Sequence, residues 1–189
     1  MNILRRQETS VESTTDFRIG DQIRLGKYTA TCQAVTNKAA IFLLDQYLDK
    51  AYRMNPTDTN RGGYTRSELR HRIGNAGFVA KDDNFRAVRG RLTPFQNGDL
   101  LRIPTVGEIF GDDPFYERDG HKQWELMKKR CNRIAERDEG EEYEHGWLQN
   151  KVQHGDAKSF FAAVSYNGNT ECETATEVGG VRPVFQLAF

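Results

Sequence analysis

The chain has 189 residues, of which 29% are charged, with 27 Lys and Arg balancing 27 Asp and Glu. That length suits one domain with a core of its own, and the zero net charge removes any whole-chain argument for nucleic acid. A hydrophobic fraction of 37% with 11% aromatics excludes a disordered chain, and no run approaches the ~20 apolar residues of a membrane span.

Residues 1–16 are rich in Ser, Thr and charge and read as a flexible N-terminal arm, leaving 17–189 as a single domain. The start has no signal-peptide core, so the expectation is synthesis in a cytoplasm, with any exit from the cell by a route other than general secretion. Cys32, Cys131 and Cys172 are odd in number and widely spaced, which predicts free, mostly packed thiols.

From Phe17 the pattern alternates. "QIRLGKYTATCQAV" and "KAAIFLLDQYLDKAYRM", with a break at Gly26 and a turn at Asn37-Lys38, predict an antiparallel meander over 22–53. The polar stretch "NPTDTNRGGYTRSELRHRI" follows. Thr65 and Glu68 have capping-box spacing, so a helix is expected from Arg66, with Leu69 and Ile73 as its apolar stripe and Gly74-Asn75 as its end. Residues 76–98 carry little pattern beyond a short helix near 83–89. "LLRIPTVGEIFG" predicts a strand stopped by Pro104 and then a Thr105/Glu108 capping box closing at Gly111.

The strongest helical periodicity spans 121–138, where Trp124, Met127, Cys131 and Ile134 or Ala135 fall on one face. An acidic exposed loop, "EGEEYEH", comes next. "GWLQNKV", "SFFAAVSYNGNTECETA" and "GGVRPVFQLAF" read as strands, with Asn167-Gly168 as a hairpin turn. Strands, then helices with long loops, then strands make an α+β chain, with the terminal strands free to share one sheet.

Four phrases in this order, "NPTDTNRGGYTRSELRHRI", "LLRIPTVGEIFG", "GWLQN" and "FAAVSYNGNTE…GGVRPVFQLAF", resemble a domain family of unknown function found in Firmicutes and their bacteriophages. Its motifs are a G-G-aromatic-x-x-S-x-L-R helix start (here Gly62, Gly63, Tyr64, Ser67, Leu69, Arg70), an E-x-F-G turn, a Trp-Leu strand and a G-V-R-P strand. The resemblance implies a C-type-lectin-like fold: a central antiparallel sheet pairing N- and C-terminal strands, two or three helices and long loops. Formylglycine-generating enzymes and retroelement variable proteins are similar more distantly, and Val181 stands where those proteins carry an aromatic. On this resemblance Gly62 and Gly63 permit a turn, Tyr64 covers the helix start, and Arg182 holds loop backbone.

The chemistry is sparse. Neither a Walker loop nor a dinucleotide fingerprint follows Asn60. Asn55, Asp58 and Asn60 alternate as oxygen ligands would, with Glu68 nearby, but the EF-hand glycine is absent, so a calcium site is open and not favoured. His71, His121, His145 and His154 show no zinc spacing. There is no nucleophile elbow, and Cys131 and Cys172 lack the context of a copper-binding oxidase pair. No cofactor, metal or catalytic residue is therefore assigned. Nine Lys, Arg or His residues lie between 61 and 91, and Lys128, Lys129 and Arg133 add to Lys122, Arg130 and Arg137 farther on. These charges admit a nucleic-acid contact but favour solvated faces. Trp147, Asn150, Tyr166, Asn167 and Asn169 are residue types of contact surfaces, although a core position is the favoured reading for Trp147.

The reading is a non-catalytic phage or prophage binding module for a protein or cell-surface glycan, virion- or tail-associated. One alternative is an intracellular inhibitor of a host defence complex that docks through charge. A second is a diverged enzyme on the formylglycine-generating scaffold.

Overall fold

The computed structural model describes residues 3–5, 17–135 and 145–189, which fall into two compact units. The chain is α+β, and all its named strand pairs are antiparallel.

The first unit comprises residues 1–46, 73–102 and 184–189. Its sheet runs in the order β1 (Ile3–Arg5), β2 (Gln22–Leu25), β3 (Tyr28–Val35), β4 (Ala39–Leu44) and β10 (Val184–Ala188). The meander is the predicted one, with Gly26 at φ 59° turning β2 into β3. A Cβ at Gly26 would overlap the Asn84 side chain, so this turn needs glycine both for its backbone and for space. The terminal strand closes the sheet: Phe185 pairs with Phe42 and Leu187 with Ala40. Phe42 and Phe185 stack at 5.6 Å, and Phe17 and Phe85 meet them edge-on at 5.0 and 5.9 Å, an aromatic core with favoured ring geometry. The Arg91 side chain donates to the carbonyl of Ala188 from outside the sheet. Of the residues read as an arm, Ile3–Arg5 pair with β2, and 6–16 lie outside the described residues.

Residues 76–98 contain more structure than their pattern suggests. The α-helix is α2 (Ala76–Lys81), capped by Asn75, whose side chain accepts from Phe78 N; the expected helix at 83–89 is a 3-10 turn at Asp83–Phe85 and another at Arg89–Arg91. The strand expected before Pro104 is reduced to one bridge, Arg102 with Val184.

The second unit comprises residues 47–72 and 103–183. It holds the pair β5 (Tyr52–Arg53) with β9 (Val178–Gly179), and the sheet β6 (His145–Lys151), β7 (Phe160–Ser165), β8 (Thr170–Thr174). Trp147, Leu148, Phe161, Met54, Leu69 and Met127 are buried in it. The helix after the polar loop begins two residues later than its box predicted. Gly62 (φ 88°) and Gly63 (φ 60°) lead into a 3-10 turn at Tyr64–Arg66, and α1 spans Glu68–Ile73. Ser67, not Thr65, serves its first turn: Ser67 Oγ accepts from Arg70 N (3.1 Å) and donates to the Tyr64 carbonyl (2.8 Å). The second box is formed as read. Thr105 and Glu108 cap α3 (Val106–Phe110) reciprocally, and Gly111 ends it at φ 89°.

The predicted helix over 121–138 does not form among its described residues. Two 3-10 turns, Glu125–Lys128 and Arg130–Arg133, are separated by Lys129 in extended backbone. Side chains take the carbonyls an α-helix would bond: Asn132 Nδ2 donates to Leu126 O (2.7 Å) and Arg133 Nε to Met127 O (2.7 Å). Trp124, Met127 and Ala135 are buried as expected, but Cys131 and Ile134 are exposed. The acidic stretch 138–144 lies outside the described residues. No described helix is long and apolar enough to cross a membrane.

Candidate functional site

Among the residues singled out from sequence, the second unit brings one group together. The β7–β8 hairpin turns through Tyr166, Asn167 and Gly168. Gly168 N donates to Ser165 O (2.9 Å), Ser165 N to Asn169 O (2.9 Å), and Ser165 Oγ to Asn167 Oδ1 (2.6 Å). Asn169 N donates to the same Asn167 oxygen (3.1 Å). Asn167 thus fixes the turn with its own side chain and leaves Tyr166 projecting, 65% exposed.

Gly168 joins this hairpin to the 3-10 segment. At φ 80°, its missing Cβ would stand 2.8 Å from the Arg130 carbonyl oxygen and 3.1 Å from Ile134 Cγ1. Only glycine allows that approach. Tyr166 and Asn169 therefore share a neighbourhood with Arg130 and Ile134, which is 39% exposed, and with the exposed Lys128 and Lys129 on the same short segment.

The segment is anchored from beneath. Arg182, buried, donates through Nη1 to the carbonyls of Asn132 (3.1 Å) and Arg133 (3.3 Å). The Arg133 guanidinium lies 4.8 Å from the Phe110 ring centroid, so its charge is spent on stacking and on the Met127 and Lys128 carbonyls. Arg133 belongs to the support and not to the contact surface. Lys128 pairs with Glu125 at 2.6 Å on the exposed surface. The whole is a small basic face with one aromatic and one aliphatic side chain, held on a rigid base.

Two candidates move to the interior. Trp147 is 1% exposed on a strand buried along most of its length, and its indole Nε1 donates to Tyr52 O (2.8 Å). Asn150, also buried, is a brace. Its Oδ1 accepts from Val106 N (2.7 Å), and its Nδ2 donates to Glu117 O (2.6 Å) and Asp119 Oδ2 (2.7 Å). Burial alone would raise the Asp119 carboxyl. Hydrogen bonds from Asn150, Gly107 N, His121 N and Thr105 outweigh it and hold the carboxyl below its usual range.

Asn55, Asp58 and Asn60 do not converge as ion ligands. Asn55 Nδ2 donates to Thr59 O while its Oδ1 accepts from Glu68 N (3.2 Å), and Asn60 Nδ2 donates to Ala157 O and Phe160 O. Both amides tie loop backbone, and Asp58 is exposed. Tyr64 is buried, its hydroxyl accepting from Ile103 N (3.4 Å), and Arg70 Nη1 donates to Thr65 O (2.6 Å). Gly62, Gly63, Tyr64, Ser67 and Arg70 thus form one self-supporting corner.

Sequence reasoning counted Arg130 among the basic residues without singling it out as a contact, and offered Ile134 or Ala135 for the buried face, of which Ala135 is the buried one. It missed a grouping of His145 with Glu171 and Glu173, for which Glu-x-Glu on a strand was the available signal. No family model, curated protein or solved structure matches the chain.

Proposed function

We propose that this chain is a non-catalytic binding module that docks an acidic protein surface through the face formed by Tyr166, Asn169, Lys128, Lys129, Arg130 and Ile134. The observation that carries the reading is the close seat of Gly168 on Arg130 and Ile134, which makes one surface of two segments 32 or more positions apart. An exposed tyrosine on a turn locked by its neighbours contributes contact area at low entropic cost. Flanking lysines add long-range attraction to carboxylates.

On the ordered sequence phrases given above, the module belongs to the C-type-lectin-like class and is encoded by a phage or prophage, where it recognises a host-surface or virion protein. The sheet shared by β4 and β10 supports that fold assignment. The exposed lysines favour a second setting for the same face, a cytoplasmic inhibitor docked on a host defence complex.

The test is site-specific photocrosslinking in the bacterial host, with the reactive group at position 166, at 129, or at Gln96 as a control. The expected result is one discrete adduct shared by the first two positions and absent from the third. Lys128→Glu with Lys129→Glu should abolish it. Equal labelling from Gln96, or adducts indifferent to the charge reversal, would remove the reading.

A further inference from the structure

One cluster of metal-ligating side chains stands outside the proposed face. His145 opens β6 and is 7% exposed, and Glu171 and Glu173 alternate along β8, so both carboxylates leave the same side of that strand. The central strand β7 links them, since Trp147 and Glu171 both pair with Ala163, whose methyl leaves that side of the sheet low. One ligand atom from each of His145, Glu171 and Glu173 lies within 4.8 Å of the other two.

The imidazole is placed by its surroundings. It packs edge-on against Trp147, with ring centroids 4.8 Å apart at 78°. A Cβ at position 179 would stand 2.5 Å from His145 Nε2 and 2.8 Å from Trp147 Nε1, so the glycine at 179 makes room for the ring. β8 is fixed from its outer side by Tyr116, whose hydroxyl donates to Glu171 O (3.0 Å).

We infer that His145, Glu171 and Glu173 form a binding site for one divalent transition-metal ion of the zinc or manganese class. An imidazole with two carboxylates suits these ions better than calcium or magnesium, which take oxygen alone. Donors about 2.1 Å from such an ion stand about 3–4 Å from one another, so a rotation of the half-buried glutamate side chains completes the triangle. Three protein ligands leave further positions for water.

The test uses the full chain stripped with chelator and titrated calorimetrically with zinc chloride or manganese chloride alone. One ion per chain is expected. Glu171→Gln and Glu173→Gln, each at a half-exposed position, should each weaken binding at least ~tenfold, since even outer-shell losses cost ~10–100-fold. Thermal melts without metal should show both variants folded, whereas His145→Gln, at a buried position, is the riskier variant. Tyr166→Ala should bind the ion as the wild type does, which separates this site from the proposed protein-binding face. No binding of either ion up to millimolar concentration would overturn the inference. So would full binding by the two glutamine variants, which would put the ion elsewhere on the chain.

Discussion

The three cysteines separate cleanly by environment. Cys32 is buried in β3, its thiol pushed up to about 12 by burial, with the Asp21 charge adding to the effect. Cys131 is exposed, and Cys172 is half-buried beside two carboxylates. Because the thiolate is the reactive form, a thiol reagent at pH 8 should label Cys131 first, Cys172 slowly and Cys32 only on unfolding. Mass spectrometry of timed aliquots reads this order, and early labelling of Cys32 would contradict the buried β3. Asp119 gives a second residue-scale expectation. Its carboxyl is held below its usual range, so its contribution to stability is complete above the unfolded value near pH 4 and is lost as pH falls through the folded one. Asp119→Asn should therefore lower the melting temperature at pH 7 and flatten the acid limb of the stability profile below about pH 4.

Helix α3 was legible because its information is local: Thr105, Glu108 and Gly111 sit within seven residues, and each makes the contact its spacing implies. Thr105→Ala should cost about 1 kcal/mol, read by denaturant titration. The segment 121–135 was not legible, since its apolar spacing is helical but its side-chain hydrogen bonds are not. Asn132 and Arg133 capture carbonyls of residues 126–128, and Arg182, 49 residues beyond Arg133, captures two more. Periodicity cannot report a partner so distant in the chain. The two-residue error at the start of α1 has a smaller cause. Thr65 and Ser67 are both plausible caps, and the positive φ of Gly62 and Gly63 decides for the later one. Gly168→Ala should loosen the hairpin from the 3-10 segment, because the added methyl would meet Arg130 backbone that cannot retreat. Faster amide exchange at 165–169 would be the sign.

At the scale of the whole molecule, the α+β order and the joining of N- and C-terminal strands could be read from which segments alternate, and β10 does pair with β4. Phe185 stands at the centre of that pairing, fully buried between Phe42 and Phe85. Phe185→Ala should cost about 3–5 kcal/mol by calorimetry or denaturant unfolding. The candidate face was legible as a set of residue types but not as a place. Tyr166, Asn167 and Asn169 were recognisable from the hairpin, Lys128 and Lys129 from charge, and only the Gly168 contact makes them neighbours. Trp147 and Asn150, named as contact candidates, are buried; a core place was already the favoured reading for Trp147, whereas the amide of Asn150 gave no sign of its bracing role.

Hydrogen exchange, with and without the partner retained by the immobilised wild-type chain, tests the binding face most directly. Slowed exchange is expected in 128–134 and 165–170 together, with both effects lost in Tyr166→Ala. Slowing in one segment without the other, or confined to strands β1–β4, would contradict it.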